Sequence, residues 1–376
     1  MVTARVRSHA AFATALASLV LAGGCSDPTS GPGPATPQST PEPAAASSSA
    51  ASSSAASIGA VRDSLVERLA VYDGIVTGAI ALARVGDETA IVTHGRAVRG
   101  REEMAADGTW PIASITKMMT ATLVLQLVEE GRIALGDDVR KWLPELDGAG
   151  PITVEQLLSH RSGLLRDPAL GAIERVGFAN TAGILELAGE RGPQYAAGSE
   201  GQYSNIGFAG LGVLAERVLD QPLGEALRER IFEPAGMSSS TLGGRPSIQG
   251  YDPKPVTNYY LEYVPGAGSV VSTVADVDAF MRALWAGDLL DPELVADMRE
   301  SRGLVQLNPF RRVDYGLGVM HDKVTCGAIV GHSGRIGGFT DEAWTLEDGS
   351  RSVVVTANDQ EADSSVRSIV ETALCG

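Results

Sequence analysis

Ser114-Ile115-Thr116-Lys117 sets a hydroxyl and an amine three residues apart at the start of an apolar run. On a helix that spacing puts both on one face, about one turn apart. A Ser in the first turn has its hydroxyl near the positive end of the helix dipole. A partly desolvated Lys loses affinity for its own proton and can take the one on Ser. The chemistry on offer is nucleophilic, with Ser114 attacking a carbonyl and Lys117 accepting its proton. The tetrapeptide recurs by chance, and a capping Ser beside a solvated Lys has the same spacing. Its weight comes from scarcity: the lysines are Lys117, Lys141, Lys254 and Lys323, and only the first has Ser three positions before it.

Two further segments carry polar groups in a useful order. Tyr203-Ser204-Asn205 lies among Gly198, Gly201 and Gly207. A phenol can move protons, and an Asn amide can hold a substrate carbonyl. The alternative is a Tyr packed at a helix start with Asn205 as its cap. His332-Ser333-Gly334-Arg335 follows the apolar run 328–330. Gly334 permits close approach of a ligand to a strand backbone, and the alternative is a core or edge His with a turn Gly. A Gly-x-Ser-x-Gly elbow fails at this place, because Arg335 stands where the second Gly belongs. No His or Cys cluster has metal-ligand spacing, so neither a metal nor another cofactor is expected.

The elements that must position these groups are partly readable. Residues 61–71 carry Val61, Leu65 and Leu69 at helical spacing. Strand-like runs at 77–83 and 89–93 flank Gly86-Asp87, a turn signal, and predict a hairpin packed on that helix. Residues 115–130 form the strongest helical segment, ended by Gly131. From about 139 to 232 short helices mix with Gly- and Pro-bearing loops. Strand signals return at 266–272, 316–319, 328–332 and 352–357, and a last helix spans 364–373. The expected fold is α/β (α+β): a mixed antiparallel sheet flanked by helices, built from both ends of the chain, with a mostly helical subdomain inserted. The groove between the two is the natural place for a site.

The chain has 376 residues, 44% of them hydrophobic and 20% charged, an ordinary globular composition. A net charge of −16 argues against nucleic acid as a partner. Residues 1–24 read as an export signal: Arg5 and Arg7, an apolar stretch from Ala10 to Leu21 too short to anchor in a bilayer, then Leu21-Ala22-Gly23-Gly24-Cys25. Small residues before Cys25 suggest a lipoprotein cleavage site, with a plain secretory signal as the alternative. Residues 25–57 contain nothing that builds a core and read as a disordered tether reaching roughly 30 Å. The hydrolase domain is then 58–376. The expected location is the outer face of the cytoplasmic membrane, held by the N-terminal lipid, or secretion. Cys326 and Cys375 form an even pair, read in an exported chain as a disulfide, with two unrelated thiols as the alternative.

Ser-x-x-Lys, then Tyr-x-Asn, then His-x-Gly, in that order and spacing, resembles the serine β-lactamase and penicillin-binding superfamily, in particular its class C β-lactamase-like group and exported D-alanyl-D-alanine carboxypeptidases. The run from Ile152 to Leu164 (ITVEQLLSHRSGL), Tyr315-Gly316-Leu317-Gly318, Gly331-His332-Ser333-Gly334 and the pairing of Cys326-Gly327 with Cys375-Gly376 support the resemblance, which covers about 61–376. The resemblance implies that Ser114 forms an acyl-enzyme, that Lys117 and Tyr203 manage protons, and that Asn205 holds the substrate amide. It further implies that the backbone N–H groups of Ser114 and Arg335 form an oxyanion hole, and that His332 and Ser333 line the pocket for a terminal carboxylate. His160 falls in a structural loop and is assigned no chemistry. The chain departs from the pattern at His332, where β-lactamases of this fold usually carry Lys, at Arg335 in place of a small hydroxyl residue, and at Met320 in place of a basic one. Arg335 is then the candidate for the carboxylate-binding guanidinium. The implied substrates are peptidoglycan stem peptides or other D-Ala-like or β-lactam molecules. The implied activity is that of a D-Ala-D-Ala carboxypeptidase, with β-lactamase or esterase as alternatives.

Overall fold

The computed structural model describes residues 57–177, 180–258 and 264–376. The expected signal segment, Cys25 and all of the tether except Ser57 lie outside the described residues. Among the described residues no helix is long and apolar enough to cross a membrane.

The N-terminal hairpin and the C-terminal strands meet in one antiparallel sheet. Its strands, labelled in chain order, are β1 (Gly78–Val85), β2 (Glu88–Gly95), β3 (Leu304–Asn308), β4 (Arg311–Tyr315), β5 (Met320–Val324), β6 (Gly327–Ile336), β7 (Phe339–Leu346) and β8 (Arg351–Ala357). Their spatial order is β2-β1-β8-β7-β6-β5-β4-β3. Pairing of Ala79 with Ala357 and of Val85 with Arg351 therefore joins the two ends of the chain.

Side-chain alternation sorts the sheet's two faces. In β1, Ala79, Ala81 and Ala83 face one apolar cluster while Ile80 and Leu82 face another. The first cluster is covered by α1 (Ile58–Ala70), through Val61, Leu65 and Leu69, and by the C-terminal helix, through Val366, Ile369 and Val370. Ser57 caps α1, its hydroxyl accepting from Ala60 N–H. The other cluster is filled by the helical region between β2 and β3. At its centre runs α2 (Thr116–Glu129), which is buried around nearly its whole circumference, as expected of a helix apolar on all sides. Beside it lie α3 (Val154–Leu158), opened by a capping box of Thr153 and Gln156, and α4 (Asn205–Leu219). The C-terminal helix is labelled α5 (Asp363–Cys375).

Two expected strands differ. Residues 316–319 form the turn between β4 and β5, because Gly318 takes φ +85° and a Cβ there would strike the Cβ of Ala121 on α2 at 2.3 Å. Within 266–272 only Val270–Ser272 is strand, preceded by a short helix at Pro265–Gly268. That strand lies between Trp110–Pro111 and Thr241–Leu242 in a separate small sheet. Cys326 and Cys375 are joined as a disulfide that ties the end of α5 to the β5–β6 turn.

Candidate active site

Ser114 sits in a 3-10 turn (Ala113–Ile115) that runs directly into α2. The turn is clamped from two sides. Ile112 N–H donates to Val270 O at 2.9 Å, and Val270 N–H donates to the Thr116 hydroxyl at 3.2 Å. On the other side β6 passes so closely that a Cβ on Gly334 would lie 2.8 Å from Ile112 O and 3.1 Å from the Ala113 Cβ. The sequence suggests a glycine that admits a ligand; here Gly334 admits the turn that carries Ser114. Ala113 takes φ +48°, a left-handed conformation uncommon outside glycine.

Lys117 is fully buried. Its Nζ lies 3.1 Å from Ser114 Oγ, 2.9 Å from Asn205 Oδ1 and 2.6 Å from Ala267 O. Two of these three neighbours can only accept. An unprotonated amine has two N–H bonds and one lone pair. As an ammonium, Lys117 donates to all three; as a neutral amine its two N–H bonds serve Asn205 and Ala267, and its lone pair faces the Ser114 hydroxyl. Burial holds the amine well below the ordinary Lys range; the Arg166 charge adds to this, and Asp167 opposes it. The contacts accommodate the neutral amine, and burial favours it.

Tyr203 and Asn205 arrive on the segment that opens α4. Ser204, not Asn205, caps that helix, its hydroxyl accepting from Gly207 N–H at 3.0 Å. That leaves the two flanking side chains for the site. Asn205 is occupied at both ends, since Lys117 donates to its Oδ1 and its Nδ2 donates to Asp167 at 3.0 Å. The Tyr203 ring lies 4.8 Å from Lys117 Nζ. Its hydroxyl is buried without a hydrogen-bond partner among the described residues, although it faces Ser114. Burial raises its pKa, so the phenol keeps its proton at rest.

His332 corrects the sequence expectation. It is fully buried and does not line the cavity beside Ser114. Its Nε2 is 3.0 Å from the Tyr315 hydroxyl and its Nδ1 is 2.6 Å from Ser333 O. Burial pushes it down to about 3. His332 and Gly334 point to one face of β6, Ser333 and Arg335 to the other, and on its face the imidazole is covered by the Tyr315 side chain. Ser333, Gly334 and Arg335 do border the cavity, which has a volume of about 730 Å³. Arg335 pairs there with Asp363 at the start of α5. Three more guanidinium groups border it, Arg166, Arg311 and Arg367, together with the carboxyl groups of Asp341, Glu342 and Asp363, and each of these three arginines has an acidic neighbour, Asp167, Asp322, and Asp322 with Glu342 respectively.

Sequence reasoning missed Arg166 and Asp167, which set the field around Lys117 and hold Asn205. They follow the run from Ile152 to Leu164 but carry no spacing signal of their own. It also left His160 without a role. Among the described residues no group of His, Cys, Asp and Glu is arranged to hold a metal ion.

The β-lactamase family model matches residues 63–373. Penicillin-binding protein 4* of Bacillus subtilis is 27% identical over 306 residues, covering 73% of this chain and 66% of that protein. Esterase EstB of Burkholderia gladioli is 33% identical over 201 residues, 48% of this chain and 50% of the esterase. The chain thus spans between about half and two thirds of the length of these curated relatives. A solved D-stereospecific amidohydrolase from Streptomyces sp. superposes with a TM-score of 0.69 at 32% identity, covering 85% of this chain and 99% of the other.

Proposed function

Because the chain belongs to the β-lactamase family, whose fold and serine-hydrolase machinery are the premise here, we propose that it is a serine peptidase of the D-alanyl-D-alanine carboxypeptidase kind, acting on cell-wall peptides through an acyl-enzyme on Ser114. The observation that carries this reading is the fully buried Lys117 amine 3.1 Å from the Ser114 hydroxyl, with its other contacts made to obligate acceptors.

In acylation, Lys117 accepts the Ser114 proton as Oγ attacks the scissile carbonyl. The backbone N–H groups of Ser114 and Arg335 receive the oxyanion, each donor contributing roughly 3–4 kcal/mol. The Tyr203 phenol gives its proton to the leaving amine as the C–N bond breaks, and Lys117 returns a proton to the phenolate. In deacylation a water replaces the amine, and the same groups run in reverse. Arg335, whose partner Asp363 is more than half exposed, is the guanidinium that a free substrate carboxylate could engage by displacing that partner. Anchoring at the outer face of the cytoplasmic membrane through a lipidated Cys25, or secretion, is the matching location.

A second reading has support of its own. The Streptomyces amidohydrolase covers nearly all of its length against this chain, which favours hydrolysis of a D-amino acid derivative lacking the carboxylate. Covalent labelling by a fluorescent penicillin, abolished in Ser114→Ala, tests the acyl-enzyme. Absence of label in the unaltered chain would falsify it. Release of D-Ala from a D-Ala-D-Ala peptide, compared with ammonia from a D-amino acid amide, nitrocefin opening and p-nitrophenyl ester cleavage, then separates peptidase from amidase, β-lactamase and esterase.

A further inference from the structure

We propose that His160 is a positioning residue of the acylation step, holding Tyr203 and Asn205 against Lys117 through its Nδ1, its carbonyl and the face of its ring, and taking no proton itself. The inference rests on the Ser114 acyl-enzyme reading.

His160 directly follows α3 and Ser159, and it takes φ +57°, a left-handed conformation that side chains other than Asn and Asp seldom adopt. From there it fastens the Tyr203 segment at three points. Its O accepts from Gln202 N–H at 2.9 Å. Its Nδ1 accepts from Ser204 N–H at 3.1 Å. Its ring lies on the Tyr203 ring with centroids 4.2 Å apart. Ser204 is the residue between Tyr203 and Asn205, so a single acceptor sets the backbone of both site residues.

The same geometry excludes a base. An imidazole that accepts at Nδ1 carries its proton on Nε2 and has no free lone pair. The Nε2 of His160 is buried without a hydrogen-bond partner among the described residues. The ring is walled by Tyr315, with centroids 4.6 Å apart, and by Phe208 at 5.0 Å. Burial keeps it neutral. Such a residue has the chemistry of a catalyst but the placement of a strut.

Two substitutions at this one position separate the strut from bulk packing. Asn and Gly both tolerate the left-handed backbone, and both remove the ring. Only Asn offers an oxygen where Nδ1 accepts from Ser204. The measurement is the rate of acylation by a fluorescent penicillin across probe concentrations, on chains whose melting confirms that they are folded. The expected result is that His160→Asn acylates at least tenfold faster than His160→Gly at saturation, while the half-saturating concentrations agree within about twofold. Equal limiting rates for the two, or a difference confined to half-saturation, overturn the proposal. If the glycine chain does not fold, His160→Ala takes its place under the same criterion. An unaltered chain that takes no label overturns the acyl-enzyme reading and this proposal with it. A labelled unaltered chain with equal variants overturns this proposal alone.

Discussion

Lys117 must be a neutral amine to take the Ser114 proton, and its full burial favours that form. The acylation rate is therefore expected to rise with pH as Lys117 loses its proton, with a midpoint well below the ordinary Lys value of about 10.4. Penicillin acylation followed from pH 5 to 10 reads this directly; a midpoint near the ordinary value would remove Lys117 as the base. Lys117→Arg sets a permanent cation there that cannot accept the Ser114 proton, and a loss on the order of a thousandfold in acylation is expected. His332 makes a prediction of a different kind. Its folded pKa of about 3 lies below the unfolded value of about 6.5. Between these values the unfolded chain binds more protons, so this group's contribution to stability rises with pH across the window and is lost as pH falls through it. Asp341, buried and pushed upward, acts with the opposite sign above the ordinary carboxylate range. The readout is thus the difference between the parent and His332→Gln in denaturant melts at pH 4 and pH 7. The parent should lose more stability than the variant on going to pH 4, and equal losses would show that His332 does not bear the cost.

At the scale of elements, β6 and α5 meet at Arg335 and Asp363. In the proposed binding mode Asp363 occupies the place of the substrate carboxylate, and because the pair is about half exposed a substrate need displace only a weak surface interaction. Asp363→Asn is expected to lower KM for D-Ala-D-Ala peptides about two- to threefold and to leave uncharged esters unaffected. Arg335→Ala should raise the same KM. If neither variant moves it, the carboxylate is held elsewhere, and Arg311 or Arg367 becomes the candidate. This junction also marks the limit of what could be read from the chain. Ser114 and Lys117 were legible because a helix fixes their relation within one turn. The hairpin at 78–95, the central helix and the C-terminal helix were legible from period and turn residues. The direction of His332 was not, because strand parity becomes a prediction only once it is known which face is already filled. The last long strand but one was missed for a similar reason. Asp341 and Glu342 sit fully inside β7 and break the apolar pattern, their burial supported by Thr356, Trp344 and Arg367. Arg311 and Arg312 hid β4 in the same way. Arg166, Asp167 and His160 reach the site only through the fold of the helical region, which no local pattern reports.

For the whole molecule, the disulfide and the sheet order act together. Cys326–Cys375 closes a loop across a sequence separation of 49 and holds α5, which covers one face of the sheet. In the chain-entropy account such a loop contributes roughly 4 kcal/mol. Replacing both cysteines with Ser is expected to lower unfolding stability by about 2–4 kcal/mol in denaturant melts while leaving penicillin labelling of the folded fraction intact. No loss of stability would mean that packing of α5 alone secures this corner. The pairing of β1 with β8 has a further consequence, one of timing. As the ribosome delivers the chain, β1 emerges early, yet Val85 must wait for Arg351, 266 positions later, before its open edge is covered. At about 5–20 residues per second that interval is roughly 13–53 s. For most of it the chain carries Ser114 and Lys117 but neither a closed sheet nor a complete site. The sheet that positions the site can therefore close only when synthesis is nearly finished.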